Sequence, residues 1–94
     1  MPTTAERKPK KVEVLIVNDE AETPSFLNPM SGQIFVTNPV GKRLMELADG
    51  TRSVDEIGEA LSREFKGAMQ AQMVTDATGF FEASHRKGLV TWIQ

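Results

Sequence analysis

The 94-residue sequence has no cysteine and no tyrosine, and only one histidine and one tryptophan. Disulfides, thiolate nucleophiles, Cys-based zinc sites and His-rich metal centres are therefore excluded before any motif is read. No apolar run approaches the roughly 18 to 20 residues that a membrane span needs. The glycines are dispersed and form no phosphate-cradling loop. The start, Met1 to Lys11, lacks the apolar central stretch of a signal peptide. These absences predict a cytoplasmic protein with no membrane segment, no metal, no cofactor and no catalytic residues.

A chain of 10.4 kDa, 39% hydrophobic and 26% charged, is ordinary globular material sufficient for one small α+β domain. Its formal charge of −2 is unevenly spread. Arg7, Lys8, Lys10 and Lys11 against Glu6 give the first eleven residues +3, leaving −5 for residues 12–94. A basic, Pro-containing start with almost no apolar content predicts a mobile arm over residues 1–11, solubilising or weakly attractive to an acidic partner. The folded part is then 12–94.

From Val12 the run Val12, Val14, Leu15, Ile16, Val17 is β-branched and of strand length. The polar cluster Asn18, Asp19, Glu20, Glu22 ends it. Ser25, Phe26 and Leu27 follow, then turn chemistry at Asn28-Pro29-Met30-Ser31-Gly32, then Gln33 to Thr37 as another strand. The last two form a hairpin, and the three together predict an antiparallel sheet. A sheet this small must lean on helices.

Asn38 is a favoured N-cap and Pro39 a favoured first helical residue. Val40, Leu44, Leu47 and Ala48 recur at helical spacing until Asp49 and Gly50, which predicts helix one over about 39–48. Ser53 with Glu56 is a capping box, and Val54, Ile57, Leu61 and Phe65 put an apolar stripe on helix two, about 54–65. A third helix, about 70–87, ends at Gly88. Residues 89–93 are short and apolar and should pack back as a strand or extended tail.

Helix three has two apolar rows. Met73, Ala77, Phe80 and Ser84 cluster on one face, while Val74, Phe81 and His85 form a second row turned about 80 to 100° away. One row can face helices one and two, and the other covers the sheet or lines a cleft. Gly79 in mid-helix costs about 1 kcal/mol relative to Ala, which hints at a close approach there.

The run Asn38-Pro39, Leu44, then Asp49-Gly50-Thr51-Arg52-Ser53-Val54-Asp55-Glu56-Ile57, Leu61 and Phe65, followed by Asp76, Phe80-Phe81 and Lys87-Gly88-Leu89, resembles the PqqD-like family. These are small peptide chaperones of pyrroloquinoline quinone synthesis and related recognition domains of ribosomally made, modified peptides. The resemblance covers about residues 12–92, and its sharpest part looks like the family's "DG-x-[RT]-[TS]-V-x-E-I" signature. Thr37 stands where the family usually has Leu, and Ala77 and Ser84 where bulkier residues are common, so the cleft is altered.

The resemblance implies three antiparallel strands packed on a three-helix winged-helix-like unit. It also implies that a precursor's leader peptide binds by strand addition and is presented to a modifying enzyme, often a radical S-adenosylmethionine protein. An unpaired strand edge offers main-chain bonds to any extended peptide. The expected edge is Gln33, Ile34, Phe35, Val36, Thr37 and Asn38, with Val74, Thr78, Phe81 and His85 as the opposite wall. A free edge also permits self-pairing into a dimer.

A winged-helix nucleic-acid-binding or transcription-regulator domain is the rival. It would present cations on its second or last helix. Helix two instead carries Asp55, Glu56, Glu59 and Glu64 against Arg63, and the first four turns of helix three hold Asp76 and Glu82 with no basic residue. Lys42, Arg43, Arg52, Arg86 and Lys87 are scattered along the chain. An enzyme is disfavoured too: Ser84 and His85 point about 100° apart on a helix and cannot form a nucleophile and base pair. Asp19, Glu20 and Glu22 lack calcium-loop spacing.

Overall fold

A computed structural model describes residues 3–65, 67 and 69–93. In chain order it has a 3-10 turn (Thr4–Glu6), β1 (Lys8–Lys11), β2 (Ile16–Asn18), β3 (Ser25–Asn28), β4 (Gln33–Val36), α1 (Pro39–Glu46), α2 (Val54–Glu64), α3 (Gln70–Arg86) and β5 (Val90–Ile93).

The expected three-stranded antiparallel sheet is present in the order β2-β3-β4. Its register places Val17 opposite Phe26 and Phe26 opposite Phe35, so these three share the face turned to the helices. Ile16, Leu27 and Ile34 form the corresponding outward row. The hairpin turn closes with Gly32 N–H donating to the Asn28 carbonyl at 2.8 Å. Gly32 sits at φ +76°, which a side chain would resist.

Two expectations about the start of the chain are corrected. The first strand was expected from Val12, but pairing begins only at Ile16. Before it the chain turns, with Val12 N–H donating to the Leu89 carbonyl and Leu15 N–H to the Val12 carbonyl. Nor are residues 8–11 a mobile arm. Lys8–Lys11 pair antiparallel with Val90–Ile93 as a second, two-stranded sheet, with Pro9 opposite Trp92.

The reason lies in backbone bonds that composition does not reveal. Pro9 and Arg7 carbonyls accept from Gly50 N–H at 3.0 Å and Val54 N–H at 2.9 Å. The Arg7 guanidinium lies 4.5 Å from the centre of the Trp92 ring. Met1 and Pro2, also assigned to the arm, lie outside the described residues.

The helices follow the expected signals. The Asn38 side chain accepts from Gly41 N–H at 2.8 Å with Pro39 in the first turn. At α2, Ser53 Oγ accepts from Glu56 N–H at 3.1 Å while Glu56 Oε1 accepts from Ser53 N–H at 2.8 Å. The turn between α1 and α2 explains the Asp-Gly signature: Gly50 has φ +84°, and Asp49 Oδ1 accepts from Thr51 N–H at 2.9 Å and its hydroxyl at 2.6 Å. Phe26, Leu44, Met45, Val54, Ile57, Leu61, Phe81 and Leu89 make up most of the core. Each such side chain taken wholly from water contributes about 1.5 to 3 kcal/mol before entropy is counted.

Close helix packing requires glycine at Gly58, where a Cβ would stand 2.6 Å from Val74 Cγ2. Gly79, expected to mark a close approach, has nothing within 4 Å of where its Cβ would be. That hint is overturned, because Gly79 lies on the exposed side of α3.

Candidate peptide-binding edge and groove

Because β3 is the middle strand, β4 pairs through one edge only among the described residues. Ile34 and Val36 turn outward and are 56% and 61% exposed, whereas Phe35 turns inward and is half-buried. An exposed apolar edge strand is an open template for a further strand. Thr37 and Asn38 continue it into α1, and Thr37 N–H is held by the Pro24 carbonyl at 2.8 Å.

Phe80 of α3 meets the inward side of this edge. Its ring stacks on Phe35 at 5.3 Å between centroids and 28° between planes. It also meets Phe26 and Phe81 edge-on at 6.3 and 5.2 Å. Beyond the end of β4 the groove opens into a hollow of about 250 Å³, lined by Thr37, Asn38, Val40, Gly41, Leu44, Met73, Asp76 and Phe80. Gly41 makes this approach feasible: a Cβ there would overlap the Thr37 hydroxyl and come within 3.0 Å of Phe80 Cε1.

Of the expected site residues, Gln33, Ile34, Phe35, Val36, Thr37 and Asn38 lie together along the edge. The expected wall does not stand beside them. Val74 packs against Gly58 of α2. Thr78, on the same stripe, is half-buried with its hydroxyl donating to the Val74 carbonyl at 2.8 Å. Phe81 is wholly buried. The His85 ring sits 5.8 Å from that of Trp92 on β5.

The physical cause is the first segment of the chain. Thr4 donates to Glu82 Oε2 at 2.9 Å, and Arg7 covers Trp92, so the 3-10 turn and β5, the latter paired with β1, pack on this side of α3. The row turned toward the edge strand and the hollow at its end is that of Met73 and Phe80, with Phe80 stacked on Phe35. That row was visible as a stripe at helical spacing. What selects it for the sheet is the packing of residues 4–11, which hydrophobic periodicity does not report.

Ion pairing sets the surroundings. Lys42 binds Asp19 at 2.7 Å, a bond that raises its pKa from the ordinary value. Arg43 reaches Glu64 with both Nε and Nη2 at 2.9 Å; hydrogen bonding to Glu64, then to Glu46, raises the guanidinium pKa, and Arg43 lowers that of Glu64. Arg52 holds Asp49 at 2.9 Å. Lys42, Arg43 and Arg52, three of the five scattered cations, are thus committed to carboxylates. Among the described residues no group of three His, Cys, Asp or Glu side chains could hold a metal ion, and no helix is long and apolar enough to cross a membrane.

The sequence model of the family described as "Coenzyme PQQ synthesis protein D (PqqD)" matches residues 25–90. No curated protein sequence matches the chain. Solved structures share the fold, two of them as follows. "TbiB1 in Complex with the TbiA(beta) Leader Peptide" is 21% identical with a TM-score of 0.71, over 86% of this chain and 93% of that one. "Lasso peptide synthetase B1 complexed with the leader peptide" is 12% identical with a TM-score of 0.72, over 89% of this chain and 98% of that one.

Proposed function

The chain belongs to the PqqD family, and we propose that it is a non-catalytic recognition module for the leader of a ribosomally made precursor peptide. The leader adds as a strand to β4 along Gln33–Val36, extending to Thr37 and Asn38. A separate modifying enzyme, of the radical S-adenosylmethionine type, performs the chemistry in the cytoplasm while this protein holds the peptide. The observation that carries the reading is the apolar edge of β4, unpaired among the described residues and set against Phe80 of α3. The two proteins of the same fold are each described in complex with a leader peptide, which supports it.

The test is titration of the isotope-labelled protein with a leader peptide encoded beside its gene. Amide shifts should concentrate on Gln33 to Asn38 and on Met73 to Phe80. A titration leaving these amides unmoved would refute the reading. Duplex DNA producing low-salt shifts at Lys42, Arg43, Arg86 and Lys87 would favour the nucleic-acid alternative instead. The same edge could pair with a second copy; in that case leader binding should dissociate the dimer in sedimentation experiments.

A further inference from the structure

The hollow at the end of β4 combines an apolar floor with a single charge. Thr37, Gly41, Leu44, Met73 and Phe80 make its floor and sides, and among the described residues Asp76 is the one ionisable group lining it. Its volume of about 250 Å³ is below the roughly 300 to 1,000 Å³ typical of small-ligand pockets, and suits one long side chain. Gln72 Nε2 donates to Asp76 Oδ1 at 2.9 Å and steadies the carboxylate. Among the described residues no cation pairs with Asp76, and both cations of α1 are committed elsewhere, Lys42 to Asp19 at 2.7 Å and Arg43 to Glu64 at 2.9 Å.

We propose that this hollow is a subsite for one lysine or arginine of the bound peptide, with the aliphatic stem on Phe80, Met73 and Leu44 and the cationic head on Asp76. The inference rests on strand addition to β4. Side chains alternate along a strand, so Phe35 and Thr37 share the inward face. A peptide residue opposite Phe35 meets the Phe35 and Phe80 rings. The residue two places along, opposite Thr37, enters the hollow. Lys and Arg bury their stems against apolar surface while keeping the charge at the rim, and a ring beside the head adds attraction. An entirely aliphatic side chain would fill the floor but leave Asp76 uncompensated.

A displayed library of extended twelve-residue peptides, selected against the wild-type protein, Asp76→Asn and Asp76→Lys, tests this. Wild-type selection should enrich Lys or Arg two places from an apolar residue. Asp76→Lys should replace that preference with Asp or Glu, and Asp76→Asn should weaken binding of the selected basic peptides about two- to fivefold, a loss that shrinks in high salt. Asp76 is exposed, so both variants should keep the wild-type circular dichroism. Selected peptides that shift the amides of Gln33 to Val36 without a basic preference, or with one unchanged in Asp76→Lys, overturn the subsite and leave strand addition standing. Absence of any peptide that moves those amides overturns both.

Discussion

The ring of Phe80 lies stacked on the ring of Phe35, with centroids 5.3 Å apart and planes inclined by 28°. This contact ties the middle of α3 to the edge strand, so the spacing of the groove is set by two aromatic side chains and not by the backbone of β4 alone. Phe26 and Phe81 buttress Phe80 edge-on, which leaves the stack little freedom to slide.

Replacing the two adjacent phenylalanines of α3 should therefore have different consequences. Phe81 is fully buried, and Phe81→Ala should cost about 3 to 5 kcal/mol in denaturant unfolding. Phe80 is only partly buried, so Phe80→Ala should cost less. It should nevertheless speed hydrogen exchange at Phe35 and Val36 relative to α2, because it removes the support beneath β4. Equal exchange changes in β4 and α2 would show that the stack does not hold the edge.

Two glycine substitutions should act with opposite signs. Gly41→Ala would force a Cβ onto the Thr37 hydroxyl and against Phe80, so it should destabilise by about 1 to 3 kcal/mol. Gly79→Ala meets nothing within 4 Å on an exposed helical position, and should stabilise by about 1 kcal/mol through helix propensity. Thermal unfolding of the two variants beside the wild type decides both.

Gly79, whose hint of a close approach fails, marks the limit of what is legible in the sequence. The signals that act within a few residues, Asn38-Pro39, the Ser53 and Glu56 box, Asp49-Gly50 and Gly88, fixed the helix boundaries, because each satisfies a backbone group next to it in sequence. The edge strand Gln33–Val36 was legible for the same reason, lying between a turn and an N-cap. Long-range choices were not. Two stripes on α3 were equally apolar, and which of them meets the sheet depends on Thr4, Arg7 and Pro9 reaching across to Glu82, Trp92 and Gly50. Lysine-rich composition gives no hint of that pairing, since it is made by main-chain groups and one cation on an indole ring.

Deleting residues 1–11 should then be costly, which a solubilising tail would not be. The deletion removes the partner strand of Val90–Ile93 and uncovers Trp92 and the buried Leu89 and Val90. Urea unfolding should show a lowered midpoint and the loss of a large fraction of the stability expected for so small a domain, about 5 kcal/mol or somewhat more. The single change Arg7→Ala should cost less, about 1 to 2 kcal/mol, the range for a partly desolvated cation over an aromatic ring. A deletion variant as stable as the full chain would mean that β1 contributes pairing without energy.

Acid should weaken the fold through the caps and turns. The Ser53 backbone and side chain hold Glu56 below its ordinary 4.5. The Thr51 hydroxyl and amide hold Asp49 below 3.8, and Arg43 holds Glu64 below 4.5. A carboxyl whose pKa is lower in the folded than in the unfolded chain adds stability that is complete above its unfolded value and disappears as the pH falls through its folded value. Stability should thus be level near neutrality and begin to decline as the pH drops below about 5. All three groups are exposed enough for salt to screen part of the effect. Glu56→Gln keeps an acceptor for the Ser53 amide but cannot titrate, so its stability curve should fall less steeply than the wild type between pH 5 and 3. Two parallel curves would mean that the capping bond is equally strong with the neutral acid, and that acid sensitivity arises at Asp49 and Glu64 instead.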